Sequence, residues 1–426
     1  MATFLITVPA VSGTILNMLP VAKALAERGH RVLVHTGERA YDKVQAAGAE
    51  FVPMPEHCNL VSRLKTSSVP VPWWCPGFAR TIWRFRSEVL AIIPDMVAEL
   101  EPILKREQVD CIIADCVCFS AAYSAERLGI PFVTFTSSWT TALNVDGLPP
   151  AYFIPLPPRV VHALTDFILP LGQTRKQLGL PQRPKNSPSE LFSVLASKLL
   201  NLVTIHREFI PSNRLQENQV FIGPTAFEMT RTSDRQSLGA SLEPGTVLVT
   251  STTSANMDKG QFRHLVEAVA QMGIPVLAAS GSATDLPSEP GKNVRLEPFV
   301  PYDEVFPYVK AVVTHGGPGT VARALRYGVP MLIIPNFGDH VPTGARAAEL
   351  GLAYCLPKNK ATPKAIQSKL KALLKDHALH ARVKALSVKL RSMNSSELAA
   401  DAIEGILPNS MMKETTKVTE QIASSY

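Results

Sequence analysis

Short apolar runs alternate with stretches of helical apolar spacing along most of the chain. Residues 3–10, TFLITVPA, form an apolar run typical of a buried strand. Residues 17–29, NMLPVAKALAERG, then place apolar side chains at helical spacing and end in glycine, and residues 30–37 form a second apolar run. A strand, a helix and another strand in this order predict a βαβ unit, and therefore a parallel sheet.

The same alternation returns in two further regions of the chain. Residues 96–138 predict a helix, a strand, a helix and a strand, and residues 246–356 repeat the cycle. In between, residues 207–240 are polar and rich in turn-forming residues, which is typical of a domain boundary. These patterns predict an α/β protein with two facing Rossmann-like, doubly wound domains and a cleft between the carboxyl ends of their strands.

The length of the chain agrees with two domains. At 426 residues it is too long for one core and suits two domains of about 200 residues each. The final segment, NSMMKETTKVTEQIASSY, is polar and predicts a flexible tail. The predicted limits are 1–207 for the first domain, 208–240 for the linker, 241–408 for the second domain, whose last helix is free to pack back on the first, and 409–426 for the tail.

Composition narrows the class of protein. Apolar residues make up 46% of the chain and charged residues 19%, as in packed globular proteins. No apolar run reaches the roughly 18 residues that span a bilayer, and residues 1–9 lack the basic leader of a signal peptide. The six cysteines are scattered without the spacing of a zinc site. We therefore expect a cytoplasmic protein with free thiols and no integral membrane segment.

The net charge of +7 is diffuse, because basic residues alternate with Asp and Glu. The chain has no basic stripe interleaved with aromatic residues, so the sequence argues against a nucleic-acid partner. A mildly basic enzyme that handles an anionic substrate fits this charge at least as well.

Two insertions rich in proline and aromatic residues interrupt the first domain, at residues 57–90 and 147–171. Such insertions on an α/β scaffold often build a pocket wall, but their tryptophans could equally cap the core. Both interpretations stay open. The candidate residues for binding a substrate in such a pocket are Trp73, Trp74 and Trp83 in the first insertion, and Ser12 and Trp139 outside the two insertions.

The strongest chemical signal is the turn HGGPGT at residues 315–320, between an apolar strand and a helix. Glycines let the main chain approach a ligand closely, and the N–H groups at a helix N-terminus favour an anion. His315 and Thr320 add side-chain donors, so a diphosphate would fit. The alternative is an ordinary glycine-rich turn.

The wider segment, residues 296–351, resembles the nucleotide-sugar-binding signature of the UDP-glycosyltransferase superfamily, and the likeness in element order covers nearly the whole chain. The resemblance implies the glycosyltransferase-B fold of family one. It also implies an inverting enzyme, similar to antibiotic and natural-product glycosyltransferases, that moves a hexose from a UDP- or dTDP-sugar to a lipophilic small molecule. The nucleotide diphosphate sugar is then a co-substrate. No metal is implied, because the DxD-type pair that holds Mg²⁺ is absent.

The resemblance also assigns roles to individual residues. Phe299–Pro301 match the segment that lies against the nucleotide base, and His315 matches the diphosphate-binding histidine. His340 stands where relatives have the glutamine of an acid-glutamine pair that holds the sugar hydroxyls, which leaves the sugar open. Thr253 matches a hydroxyl that faces the phosphate, although a strand end with a helix cap would look the same. The candidate donor-binding residues are Thr253, Val300, His315, Gly317, Thr320, Asp339 and His340.

The first strand-to-helix turn departs from the family. Relatives read Gly-His-x-x-Pro there, and the histidine removes the proton of the acceptor hydroxyl. Aligning Gly13 with that glycine puts Thr14 at the histidine, and a threonine hydroxyl is far too weak a base at neutral pH. His30 and His35 lie beyond the helix. Asp115, at the end of a later strand, matches the aspartate that orients the histidine in relatives, or it is a helix cap.

Three explanations of Thr14 stay open. The acceptor needs little help, as a carboxylate, an amine, an acidic phenol or an enol-like carbon would; or Asp115 is the base, directly or through a water held by Thr14 or Ser12; or the chain binds substrate without transferring sugar. The catalytic candidates are thus Asp115 and Thr14. Two other classes also stay open, namely a non-catalytic auxiliary protein and a nucleotide-sugar epimerase.

Overall fold

The structure is a computed structural model. It describes residues 1–10, 12–59, 83, 85–136, 158–184, 187–210, 216–225, 237–251, 260–281, 283, 286–287, 291–336 and 338–408.

Within those ranges the first sheet has seven strands, all parallel, in the order β3-β2-β1-β4-β5-β6-β7. The three strands at its centre, β1, β4 and β5, are almost wholly buried, as expected for a sheet that is covered on both faces. The strands are β1 Thr3–Thr7, β2 Arg31–Thr36, β3 Glu50–Pro53, β4 Cys111–Asp115, β5 Phe132–Thr136, β6 Leu200–Val203 and β7 Gln219–Phe221.

The second sheet has six described strands, also all parallel, in the order β10-β9-β8-β11-β12-β13. Two parallel α/β sheets confirm the predicted fold class. The strands are β8 Val247–Thr250, β9 Val276–Ala279, β10 Val294–Glu297, β11 Ala311–Thr314, β12 Met331–Ile333 and β13 Ala353–Cys355.

Helices cover both faces of each sheet. No helix in the described ranges is long and apolar enough to cross a lipid bilayer. The described helices are α1 Ser12–Glu27, α2 Tyr41–Ala46, α3 Ile93–Arg106, α4 Phe119–Leu128, α5 Pro158–Ile168, α6 Leu171–Gln177, α7 Glu190–Leu195, α8 Gln261–Ala270, α9 Tyr302–Val305, α10 Pro318–Tyr327, α11 His340–Glu349, α12 Pro363–Lys375, α13 His377–Ser392 and α14 Ser395–Glu404.

Three elements differ from the sequence patterns. Helix α1 begins at Ser12, five residues before the predicted start, and it continues through Pro20 although proline donates no hydrogen bond. The second proline-rich insertion contains helix α5, and helix α6 begins at its last residue. Strand β7, at Gln219–Phe221, lies inside the predicted linker and forms an edge of the first sheet. The domain limits themselves remain predictions.

The last helix, α14, packs on α1, and residues of both helices share one hydrophobic cluster with the first sheet. Arg28, at the end of α1, forms ion pairs with Glu397, with Asp401 at 2.7 Å and with Glu404 at 2.7 Å. His30 accepts a hydrogen bond from the Ala2 amide at Nδ1, so its Nε2 donates to Glu404, at 2.8 Å. Arg28 thus holds three carboxylates of the last described helix against α1.

We expect Arg28→Met to lower the free energy of unfolding by about 2 kcal/mol, because it leaves three neighbouring carboxylates without their cation in a partly buried site. Urea unfolding followed by circular dichroism measures the loss. Lys23→Ala on the same helix is the control, since its pair with Glu27 is solvent-exposed and 3.7 Å long and should contribute less than about 0.5 kcal/mol. Equal effects of the two substitutions would contradict this role of Arg28.

Candidate functional site

The main chain turns sharply between β11 and α10. Gly316 has a φ of +86°, and a Cβ built on it would lie 2.6 Å from Cγ2 of Ile333 on the neighbouring strand β12. A larger residue would therefore meet both backbone strain and a steric clash. The turn can lie this close to the sheet only with glycine at this position.

The next residue, Gly317, is the N-cap of α10. A Cβ on Gly317 would lie 2.6 Å from Nε2 of His315, so the imidazole ring folds back over this glycine. Pro318 occupies the first turn of the helix, where its missing N–H costs nothing. The other first-turn N–H groups have no partner within the helix and carry its positive dipole end. The turn is thus built to hold an anion beside an imidazole.

The rings of His315 and His340 contact each other edge to face, with 4.6 Å between their centroids. Burial, with a smaller contribution from His340, lowers the pKa of His315 to about 3. Burial also lowers the pKa of His340, although Asp339 opposes this. Both imidazoles are therefore neutral at physiological pH in the unliganded protein, and each can donate one N–H.

The two residues of the predicted sugar-binding pair differ in exposure, although His340 Nε2 lies 3.9 Å from Asp339 Oδ1. Asp339, just before α11, keeps 37% of its side chain exposed, whereas the His340 side chain is buried against His315. Asp339 is thus accessible to a sugar hydroxyl. The His340 ring contacts the His315 ring and lies near the Asp339 carboxylate.

The segment before α9 presents an aromatic surface next to this turn. Phe299 is 61% exposed, whereas the Val300 side chain is buried in the core of the second domain. A base could therefore contact the ring of Phe299, and Val300 only through its main chain. The Tyr302 hydroxyl lies 3.4 Å from the Thr320 hydroxyl, which links this segment to the first turn of α10.

The candidate catalytic residues lie at the carboxyl edge of the first sheet. Thr14 is partly exposed in the first turn of α1, and Asp115 ends β4, the strand next to β1. Because strand side chains alternate between faces, Asp115 follows Ile113 towards the α1 side of the sheet. Thr14 and Asp115 therefore lie at one edge and on one face of the first sheet, and their catalytic roles stay predictions.

The carboxyl group of Asp115 is buried. Its Oδ1 accepts a hydrogen bond from the Val117 amide at 3.1 Å. Burial raises the pKa of Asp115 to about 6, and the hydrogen bonds from Val117 and Cys116 only partly oppose this. The Val117 bond resembles the cap interaction that was the alternative interpretation. The raised pKa, however, shows that folding disfavours this carboxylate, which is the opposite of what a stabilising cap does.

His35 also lies at the carboxyl edge of the first sheet, although its position beyond the helix gives no reason to expect it there. On β2, His35 is the register partner of Thr7 on β1, and its Nδ1 lies 3.1 Å from the Thr7 hydroxyl. Burial lowers its pKa to about 4. Its Nε2 is buried and has no hydrogen-bond partner among the described residues. The signal that could have found it is parallel register, because His35 and Thr7 occupy equivalent strand positions.

An apolar pocket opens beside this edge. It is lined by side chains that follow β1, β3 and β4 and by residues of α3 and α4, with two thioethers among them. None of these residues was a sequence candidate. Six of them are Pro9, Met54, Cys58, Ile92, Met96 and Phe119.

Several predicted contacts lie outside the described residues, namely Thr253, Trp73, Trp74 and Trp139. Ser12 is described only by its main chain, as the first residue of α1. Trp83 is 44% exposed. In the part of the chain that the structure describes, no group of three His, Cys, Asp or Glu side chains could hold a metal ion.

The chain is similar to known proteins both in sequence and in fold. Residues 263–406 match the family described as "Erythromycin biosynthesis protein CIII-like, C-terminal domain". The chain is 26% identical to the 4'-demethylrebeccamycin synthase of Lentzea aerocolonigenes, over 95% of this chain and all of that protein. It is 27% identical to the demethyllactenocin mycarosyltransferase of Streptomyces fradiae, over 93% of this chain and 84% of that protein.

The fold also resembles a solved structure, that of the glycosyltransferase VinC in complex with dTDP. The TM-score is 0.63 at 21% identity, over 94% of this chain and 98% of that one. The likeness extends across both sheets, so the two-domain architecture is shared.

We expect Asp115→Asn to stabilise the protein by about 1–3 kcal/mol at pH 7.5, because it removes a buried charge. The sign follows from linkage: a carboxyl whose pKa rises from 3.8 unfolded to about 6 folded loses stability as pH rises through that window. Thermal unfolding should show the difference between variant and wild type shrinking as the pH falls from about 6 towards 4. A variant less stable than wild type at pH 7.5 would contradict this effect of burial.

Proposed function

We propose that this chain, a glycosyltransferase of the UDP-glycosyltransferase superfamily with the predicted glycosyltransferase-B fold, moves a hexose from a UDP- or dTDP-sugar to a lipophilic small molecule. The transfer is inverting and independent of a metal ion. The turn His315-Gly316-Gly317 at the N-terminus of α10 is the observation that carries the proposal, because it joins a helix dipole, free N–H groups and an imidazole in one place.

On the donor side, the diphosphate lies against the first turn of α10. His315 donates to a phosphate oxygen, with Gly317 allowing the approach and Thr320 adding a hydroxyl. Phe299 covers the base, and Asp339 accepts from a sugar hydroxyl. As the bond from the anomeric carbon to the β-phosphate oxygen breaks, the electron pair goes to that oxygen, where fixed dipoles stabilise the charge without reorganising. The dTDP bound to VinC supports a pyrimidine nucleotide donor.

On the acceptor side, a lipophilic molecule approaches the carboxyl edge of the first sheet, where the small apolar pocket of about 10 Å³ beside α3 and α4 takes no more than one small apolar group of it. Its nucleophile attacks the anomeric carbon on the face opposite the leaving group, which inverts the configuration. Asp115 is the base that takes the proton, directly or through a water held by Thr14. Its raised pKa of about 6 suits a group that must accept a proton near neutral pH.

We expect His315→Ala to lower kcat/KM for the donor by roughly 10- to 100-fold, because a hydrogen bond to a charged phosphate oxygen is lost. Product formation with a panel of UDP- and dTDP-sugars, read by mass spectrometry, measures it. His377→Ala, which removes an exposed imidazole from the start of α13, is the control and should leave transfer unchanged. Transfer that survives His315→Ala at the wild-type rate would refute the donor-site assignment.

Asp115→Asn separates two of the three explanations of Thr14, namely Asp115 as the base and an acceptor that activates itself. If Asp115 is the base, the variant should lose roughly 10²- to 10⁴-fold in kcat. The wild-type rate should then fall about tenfold per pH unit below pH about 6, because only the ionised carboxylate accepts a proton, and the variant should lack this acid limb. A loss below tenfold, with an acid limb that moves with the pKa of the acceptor, would show that the acceptor activates itself.

A further inference from the structure

Helix α1 faces the donor turn as well as the acceptor edge. Asn17 lies three residues after Thr14, so the two side chains project from neighbouring positions on one side of the helix. The side-chain nitrogen Nδ2 of Asn17 lies 3.5 Å from the position that a Cβ on Gly319 would occupy. Gly319 is the second residue of α10, where main-chain N–H groups point out of the helix. An amide of the first domain therefore stands at the anion-binding end of the second.

The main chain holds Asn17 in place. Thr225 is 3% exposed, and its hydroxyl donates to the Asn17 carbonyl oxygen at 2.6 Å. Thr225 follows β7 in the segment that leads to the second domain, and the adjoining Pro224 carbonyl accepts from the Ser395 hydroxyl at 3.2 Å. These two hydrogen bonds thus join helix α1 and the start of α14 to the segment at Pro224 and Thr225. The short Asn17 side chain needs little ordering to stay beside Gly319.

The residue type adds a second observation. In the pattern Gly-His-x-x-Pro, counting from Gly13 puts Asn17 at the proline. A proline side chain is purely apolar, whereas the asparagine amide presents two N–H donors. The chain that lacks the family's histidine at position 14 therefore carries a new donor one turn further along, next to the phosphate-binding helix.

We propose that Asn17 is a further donor-binding residue, supplied by the first domain, and that its amide N–H donates to a phosphate oxygen of the nucleotide diphosphate held at the N-terminus of α10. This proposal rests on the proposed function. It makes α1 a shared element, with Thr14 facing the acceptor and Asn17 facing the leaving group. Donor binding then draws both domains together.

The isosteric substitution Asn17→Asp is the test, because it keeps the shape and replaces both N–H donors with a carboxylate facing the diphosphate. Titration calorimetry with dTDP and with UDP should show about a tenfold weaker Kd for Asn17→Ala, as one hydrogen bond to a charged oxygen is lost. Asn17→Asp should weaken the Kd about a hundredfold, and added NaCl should reduce its excess over the alanine variant. Gln45→Glu, on an exposed position of α2, adds the same charge elsewhere and should match wild type.

Melting temperatures of all variants accompany the titrations, and Asn17→Ala, which favours the helix, gives a folded comparison if the aspartate variant is unstable. A wild-type protein that binds dTDP or UDP, with Asn17→Asp and Asn17→Ala within twofold of it, would overturn the role of Asn17 alone. A wild-type protein that binds neither nucleotide would instead contradict the donor site on which the proposal rests.

Discussion

In the second domain the main chain passes so close to β12 that only a glycine fits beside Ile333, and this contact positions the candidate donor groups. With Gly316 held there at φ +86°, the chain reverses within two residues and α10 starts directly above the sheet. The His315 ring then has one place to lie, over Gly317 and against His340. A bulkier residue at position 316 would move the N-terminus of α10 and the His315 imidazole together, since both adjoin the same turn.

The first domain depends on a contact between the two ends of the described chain. Arg28 at the end of α1 is surrounded by carboxylates of α14, and the two helices share a core with the first sheet. Helix α1 is therefore held at its C-terminus by charge and in its middle by the Thr225 hydroxyl. Its N-terminal turn, with Thr14, is left partly exposed at the edge where Asp115 lies. This division lets one helix be rigid where it joins the domains and accessible where an acceptor would approach.

Local pattern predicted the elements that carry their own signal. The buried runs that became β1, β2, β4 and β11 are apolar throughout, because they are covered on both faces, and the glycine-rich turn after β11 was recognised from spacing alone. The start of α1, the helices within the proline-rich insertion and strand β7 depend on tertiary packing, which overrides local propensity. Local pattern does not indicate His35 or Asn17 for a similar reason, since register between strands and contact between domains place them near the site.

Threonine at position 14, where relatives have a histidine, need not prevent removal of the acceptor's proton. An imidazole is suited to proton transfer because its pKa lies near neutrality, and burial brings the pKa of Asp115 to about 6, close to the same range. A carboxylate of ordinary pKa would be nearly always ionised but a poor acceptor of a proton. Under the proposed function, burial of Asp115 would supply the basicity that Thr14 lacks, and it would lower the stability of the folded protein. This relation between burial, instability and basicity is typical of active-site carboxylates, and it gives the Thr14 substitution a physical complement within the same sheet edge.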